Sequence, residues 1–589
     1  MQSLIDIPVR CRRLVFLALV ILSMAGLLVL AALTLSARGF VASDLVLLFL
    51  FGLTTPWLAV GFWNAVIGLI IMSGKRDPSA VLIPGAARRP QASSTVPSTA
   101  ILMCVRNESP HRVVRNLDTM MADIERAGQA GRFHVYILSD TSRPDIATAE
   151  NEAFDDLSAR WVSRLCVTYR RRAANTGFKA GNIRDFLHRW GDQHELMVTL
   201  DADSFMTATG ILRMADIMQS QPQLGILQSL VIGMPTTSAF ARLFQFGMRV
   251  GLRSWTIGSA WWQADCGPYW GHNAIIRIAP FKEHCKILPL AGQGILSGHV
   301  LSHDQVEAAL MRRAGYDVRV LPEEDLGWEE NPPTLIEFIR RDQRWLQGTL
   351  QYVFFIGLPG LQPVSRIQLV FAMLMFLGSP AWVGLLTLGT VMVATLPPTS
   401  TFIDADYGVP LLFTVLSMWF APKVATVIDV LSRPALRFGF VGTLRFVASV
   451  AAETIFSLML SPITWVCHTT PFLGLMFGRV IGWSGQMRDD HTILWSTALR
   501  KLWPQTMLGG AVLLAFALSL PAALPFVFVL VAGGLVLSVP LCVLTSWPSV
   551  GRVLRRIGIG RLPEETVPPD ALARRASVAA KAADPVSAD

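Results

Sequence analysis

Leu196-Met197-Val198-Thr199-Leu200-Asp201-Ala202-Asp203 runs five strand-forming residues directly into two carboxylates. A short apolar run of this kind reads as a buried strand. Two carboxylates one residue apart at its end can hold a divalent cation jointly. Mg2+ or Mn2+ held that way would bridge the phosphates of a nucleotide. Taken alone, Asp-x-Asp also describes an ordinary solvated turn, and that is the commoner case.

The surroundings change the balance. Ala100-Ile101-Leu102-Met103-Cys104-Val105 and Val135-Tyr136-Ile137-Leu138 are further strand-like pieces, and helical stretches at 111–127 and 178–190 alternate with them. Short apolar strands alternating with helices predict an α/β domain with a mainly parallel sheet, here over residues 98–362. Open α/β sheets bind ligands beyond the carboxyl ends of their strands. Asn107-Glu108 follows the first strand and Ser139-Asp140 ends the second, so acids cluster where a ligand crevice is expected. Lys179-Ala180-Gly181-Asn182 opens a helix, and a lysine beside free backbone N–H groups suits a pyrophosphate. Each of these short motifs also reads as a plain turn or an exposed helix start.

Composition separates this block from the rest. Of 589 residues, 52% are hydrophobic and 16% charged, against about 25% charged in soluble proteins; mean hydropathy is +0.45. A cytosolic soluble enzyme and a largely disordered chain are both excluded. The net charge is +9, from 51 Lys and Arg against 42 Asp and Glu. The basic excess lies largely beside apolar runs, as on the cytoplasmic face of a membrane protein, so nucleic-acid binding is the weaker reading. Seven scattered cysteines indicate neither a disulfide framework nor a zinc site.

Residues 14–35 are uncharged and long enough to cross a bilayer, more in keeping with a span than a cleaved signal, and a second run follows at 45–72. Arg10, Arg12 and Arg13 before the first, with Lys75 and Arg76 after the second, put both ends of this hairpin (1–72) inside. A Pro/Ala/Ser/Arg-rich linker occupies 73–97. Membrane composition returns over 363–545, with candidate spans at 367–396, 410–432, 442–466, 506–523 and 525–545 and a doubtful one at 470–484. Asp404 and Asp406 place the 397–409 loop outside. Arg433, Arg437 and Arg445, then Arg488, Arg500 and Lys501, place two later loops inside. Two inside loops require an even number of crossings between them. Either 442–466 and 470–484 form a hairpin, giving eight spans, or both lie at the interface, giving six; eight is the favoured count. The tail 546–589 is expected inside and disordered.

Three more segments bear on chemistry. Ser302-His303-Asp304 opens a helix at 304–314, where an acid is normal capping chemistry and equally a candidate general base on an acceptor hydroxyl. Trp261, Trp262, Tyr269, Trp270 and Gly271-His272-Asn273 form an aromatic-rich stretch suited to sugar stacking or to a membrane interface. Arg340-Arg341-Asp342-Gln343-Arg344-Trp345 is a positive-inside cluster, or Arg344 against phosphate with Trp345 as a platform for the acceptor.

The order Asn-Glu, Ser-Asp, Lys-Ala-Gly-Asn, Asp-Ala-Asp, late Asp, Arg-Trp resembles processive family 2 glycosyltransferases, with cellulose and hyaluronan synthases among them. Tyr269–Arg277 (YWGHNAIIR), Leu301–Asp304 (LSHD) and Arg341–Gly348 (RDQRWLQG) are most similar to the glucosyltransferases of osmoregulated periplasmic glucan synthesis. The resemblance implies a polytopic helical membrane protein with an inserted cytosolic GT-A domain. It implies Glu108 and Asp140 on the uridine, Lys179 and Arg344 on the diphosphate, and Asp201 and Asp203 on nucleotide and metal, with Asp203 nearest the cation. Asp304 would be the base, and Trp345 would hold the acceptor, joined by Trp270 and His272. It further implies UDP-glucose as donor, a β-1,2-linked glucan, Mg2+ or Mn2+, and the bacterial inner membrane with both termini cytosolic. An acyl carrier protein and a periplasmic glucan-processing protein are implied as partners. Ser302-His303 replaces the Thr-Glu of cellulose-type enzymes, and Arg341 stands where they have Gln, so the linkage is not transferable from cellulose. Glu453, Lys423 and Asp429 inside apolar runs are expected to serve a polar export route or to sit in headgroups. Residues 486–491 are expected to form a gating loop or a charged connector. A transferase acting on a lipid carrier and a nucleotide-binding receptor are the alternatives.

Overall fold

The computed structural model describes residues 7–74, 77–86, 96–292, 294–395, 403–479 and 487–583. Lys75, Arg76, residues 87–95 of the 73–97 linker and Gln486 lie outside the described residues.

Two long helices, α1 (Val9–Leu35) and α2 (Ala42–Met72), precede the α/β domain. The domain then runs β1 (Thr99–Val105), α3 (Pro110–Arg126), β2 (Phe133–Ser139), α4 (Pro144–Trp161), β3 (Cys166–Arg171), α5 (Phe178–Arg189), β4 (Leu196–Asp201) and β5 (Ser204–Met206). After these come α6 (Ala208–Ser220), β6 (Leu224–Ser229), β7 (Ile232–Gly233), α7 (Ala239–Gln263), β8 (Ala274–Arg277), α8 (Asp304–Arg313), β9 (Asp317–Leu321), β10 (Gly327–Glu329) and α9 (Leu335–Leu350).

Seven strands form one sheet in the order β3-β2-β1-β4-β8-β6-β9, and β5-β10-β7 form a small second sheet. In the large sheet only β8 runs against its neighbours. The apolar runs of β1, β2 and β4 are buried on both faces, which is why they read as continuous rather than alternating. Val105 pairs with Ser139 and Cys104 with Asp201, so these three strands end level. Glu108, Asp140, Asp201 and Asp203 therefore leave the same edge of the sheet.

The long helix α7 ties this domain to the apolar helices. A Cβ on Gly258 would lie 1.9 Å from the carbonyl oxygen of Asn64, and one on Gly68 would lie 1.9 Å from that of Ser254. The backbones of α2 and α7 thus touch through glycines on both sides. Gly258→Ala should lower the thermal midpoint of the detergent-solubilised protein, by about 1–3 kcal/mol of overpacking. Gly251→Ala, in the same helix with nothing within 4 Å of its Cβ, should hold or raise it. Equal midpoints for the two variants would show that the close approach is not stabilising.

Beyond the domain lie α10 (Pro363–Thr395), α11 (Ala405–Ser432), α12 (Thr443–Met476) and α13 (Trp495–Ser519), then a pair of helical segments, 521–536 and Ser538–Ser546, bent by 62°. Six helices among the described residues are long and apolar enough to cross a membrane, or seven with the bent pair as one span. The expected separate segments 442–466 and 470–484 are not two spans, since residues 443–476 form one helix that passes through Pro462 and Pro471. Both ends of that helix meet the α/β domain or the tail. Arg445 packs at Gly558, and His468 Nε2 lies 3.2 Å from Asp342 of α9.

The tail is helical where disorder was expected, in α14 (Pro548–Ile557) and α15 (Asp570–Ala583). Its charge is used rather than solvated: Arg574 pairs with Asp123 at 2.6 Å and Arg575 with Glu330 at 2.7 Å.

Candidate active site

The turn after β4 is braced internally. The Asp201 backbone N–H donates to Ser204 Oγ (3.1 Å), and that hydroxyl also meets His272 Nδ1 at 3.4 Å. Lys179 reaches across from α5, donating to Asp201 and, at 2.9 Å, to the carbonyl of Gly271. Its aim depends on a tight entry to the helix. Gly177 is left-handed (φ 73°), and a Cβ on Gly181 would lie 2.0 Å from the Thr176 carbonyl oxygen. Asn182 fixes the same turn, donating to the Leu138 carbonyl (2.9 Å) and accepting from Arg170 (2.6 Å). Asp304, in the first turn of α8, packs over Gly271, where a Cβ would meet its own Cβ at 3.5 Å. Asp201, Lys179, Gly271 and Asp304 thus form one continuous cluster.

Arg488 supplies the other half. Its guanidinium donates to Asp203 and, at 2.9 Å, to the Glu330 carbonyl. Burial works against its charge, but Asp203, Glu108, Asp201 and Glu329 together outweigh that and hold it above the ordinary arginine value. Burial pushes the Glu108 carboxyl up to about 7, with Arg488 pulling the other way and Asp203 and Asp201 adding to the rise. For Asp201 the pull of Lys179, then His272, defeats burial and brings the carboxyl down to about 2. Arg344 is brought down to about 10 by burial and by the nearby Arg488 and Arg341. A cation therefore already sits among four carboxylates at the end of β4.

Asp140 gives both oxygens to Arg172, at 2.7 Å each. His272 Nε2 lies 3.5 Å from Glu329. Trp345 is 46% exposed, with the Arg341 guanidinium 4.7 Å from the centre of its ring. Trp270 is half-buried, and its N–H donates to Gln228 at 2.9 Å.

The rest of the aromatic stretch does other work. Trp262 stacks on Phe16 of α1 at 4.4 Å and donates to Asn64 of α2 at 3.0 Å, while Trp261 lies fully buried beside Arg12. Tyr269 is inside the sheet core, its hydroxyl 3.0 Å from that of Thr199. These three anchor the domain to the apolar helices or fill the core, and of this group only Trp270, with the later Trp345, keeps an accessible ring.

Several contributors escaped the sequence reading. Arg172 holds Asp140 from the end of β3. Buried Glu150 accepts from Ser139, Thr141 and Tyr169 (2.6, 2.5 and 3.0 Å) and so shapes the turn that carries Asp140. Buried Glu307 meets His303 Nδ1 at 2.8 Å, one turn along from Asp304. Their only signal was a polar residue near a strand or helix end, which does not distinguish them from surface residues.

Residues 100–285 match the model of glycosyl transferase family 2, and residues 196–428 match that of glycosyl transferase family group 2. The seven-stranded, mainly parallel sheet with helices between its strands is the α/β domain expected over this stretch. Over most of its length the chain is similar to curated relatives named glucans biosynthesis glucosyltransferase H. It is 34% identical to that of Pseudomonas putida (strain W619) over 89% of this chain and 62% of the relative. To that of Pseudomonas entomophila (strain L48) it is 35% identical over 90% of this chain and 63% of the relative. The chain thus spans a little under two thirds of those relatives. A solved mannosyltransferase from Pyrobaculum calidifontis, in complex with GDP-Man and Mn2+, aligns with 66% of this chain and 98% of its own at 13% identity and a TM-score of 0.42.

Among the described residues, no three His, Cys, Asp or Glu side chains converge to hold a metal ion. The α/β domain offers Asp201 and Asp203 as paired oxygen ligands. A site of one or two carboxylates completed by substrate phosphates and water is the usual setting for Mg2+. The charged guanidinium already drawn in among Asp203, Glu108, Asp201 and Glu329 shows that a cation is stabilised there, so these residues fit a divalent ion.

Proposed function

We propose that the protein is an inverting, metal-dependent hexosyltransferase that moves glucose from UDP-glucose to a growing glucan and passes the product across a membrane. The observation that carries this is the cluster Asp201–Lys179–Gly271–Asp304, which sets a carboxylate on the acceptor side of a cationic donor site. The names of the curated relatives support glucose as the sugar and a glucan as the product; the β-1,2 linkage and the periplasmic destination are what the sequence resemblance implies.

The acceptor hydroxyl attacks the anomeric carbon from the face opposite the diphosphate. A new C–O bond forms, the C–O bond to UDP breaks, and the hydroxyl proton passes to Asp304. Lys179 and Arg344 offset the charge that collects on the departing diphosphate. A divalent ion on Asp203 and Asp201 would add Lewis-acid stabilisation of that charge. Trp345, exposed and backed by Arg341, offers a face for the acceptor sugar.

The apolar helices supply an aromatic route. Trp382 of α10 stacks on Trp465 of α12 at 5.1 Å, with Trp419 of α11 at 5.8 and 6.1 Å from them. Glu453 is neutralised by Lys423 at 2.5 Å, and Asp429 by Arg433 at 3.0 Å, so both carboxylates within these apolar runs have a partner. In the proposed topology α12 lies along the membrane surface and the bent pair 521–546 crosses it. That leaves six crossings, with both termini and the catalytic domain in the cytosol of a bacterium and the glucan leaving through the inner membrane. The proposal extends to the acyl carrier protein and periplasmic glucan-processing protein that the resemblance implies.

The test is purified protein in nanodiscs with a panel of UDP-sugars and Mg2+, followed by linkage analysis. UDP-glucose alone should yield free β-1,2-linked polymer. A single sugar attached to lipid would replace this reading with transfer to a lipid carrier, and no product from any donor would leave a binding protein.

A further inference from the structure

Next to the segment 487–490 lies a cavity of about 1160 Å³, walled by α3, the residues after β7, α14 and the tail. Of the donor-site residues only Arg488 lines it. Eight arginines face it against five acids, and the acids are largely committed elsewhere. Glu564 and Glu565 are engaged at 2.8 Å by Arg249 and Arg242 of α7, which are not among the lining residues. Glu330 is shared by Arg575, Arg112 and Arg115 at 2.7, 3.3 and 3.6 Å. Asp489 goes to Arg112, and Asp490 takes a hydrogen bond from Thr237. Arg552, Arg555, Arg556 and Arg561 are left facing the same space with no carboxylate within 4.0 Å among the described residues. The Nε atoms of Arg115, Arg488 and Arg561 are buried and without a hydrogen-bond acceptor.

Four unpaired guanidinium groups around one cavity repel each other unless an anion is present. Guanidinium forks match phosphate oxygens in pairs, and the volume suits a ligand of nucleotide size. We infer that this cavity is a second, non-donor site for a phosphate-bearing anion, held by the arginines of α14 and the tail against those of α3. Two sources share that chemistry. The cavity opens to solvent, which admits a soluble polyphosphate. Helix α14 also exposes Val553, on the cavity wall itself, and Ile557, at 56% and 53%; apolar side chains beside the arginines would meet a membrane surface, which admits an anionic phospholipid headgroup.

The test uses the full chain in phosphatidylcholine nanodiscs with excess UDP, titrated calorimetrically with inorganic triphosphate. Saturable binding is expected. It should weaken at least about ten-fold when Arg552→Gln, Arg555→Gln and Arg556→Gln are combined, since each removes charge-assisted hydrogen bonds, while UDP affinity holds. These three side chains are exposed, so folding should survive. A charge-matched control, Arg132→Gln, Arg143→Gln and Arg189→Gln combined, all exposed and none lining the cavity, should bind triphosphate as wild type does. If the ligand is a headgroup, phosphatidylglycerol in the discs should instead raise the thermal midpoint of the wild type and not of the triple variant. The inference is overturned if neither probe responds, if the triple variant responds like wild type, or if the control loses as much.

Discussion

Replacing Asp304 by Asn is expected to reduce glucosyl transfer by about 10²–10⁴-fold, the usual contribution of one well-placed general base, while UDP binding stays unchanged. The physical reason is local. Asn keeps the shape that packs over Gly271, so Lys179 still reaches the Gly271 carbonyl and Asp201, and the donor side remains intact. Only the group that accepts the hydroxyl proton is lost. Product formation from UDP-[14C]glucose, paired with UDP titration of the same preparation, separates the two effects. Near-wild-type synthesis would remove Asp304 from the role of base, and a joint loss of UDP binding would make it a donor-site residue instead.

The second large effect is expected at Asp203. In the wild type, EDTA should weaken UDP binding by about ten- to a hundred-fold, equivalent to one or two charge-assisted contacts of ~1.5–3 kcal/mol. Asp203→Ala should start from the weakened value and no longer respond to EDTA. The variant also releases Arg488 from its carboxylate. Arg488→Gln separates that consequence, since it leaves the carboxylates free and should keep the EDTA response. UDP affinity in the wild type that ignores EDTA would exclude metal-assisted donor binding.

The α/β domain was largely legible because its strands are buried on both faces. Complete burial leaves continuous apolar runs, and runs of five or six residues flanked by acids identify strand ends to within a residue or two. Asp201 and Asp203 were readable for the same reason. The aromatic stretch at 261–270 was less so. A tryptophan that stacks on a sugar and one that stacks on Phe16 look alike in a sequence, and only the path of α7 against α1 and α2 separates them. The count of crossings was similarly underdetermined, because two basic loops required an even number of crossings between them, while residues 443–476 fold as one helix.

The amino-acid order alone was enough to read long apolar helices flanking an α/β domain, and the acids at that domain's strand ends, since burial and charge leave local patterns. Tertiary structure alone decided that Asp304 meets Lys179 through Gly271, that Arg172 holds Asp140, and that Arg488 enters the carboxylate cluster from 285 positions away along the chain. Those pairings depend on backbone approaches of a few ångströms between distant segments, and such approaches leave no periodic trace in the residues that make them.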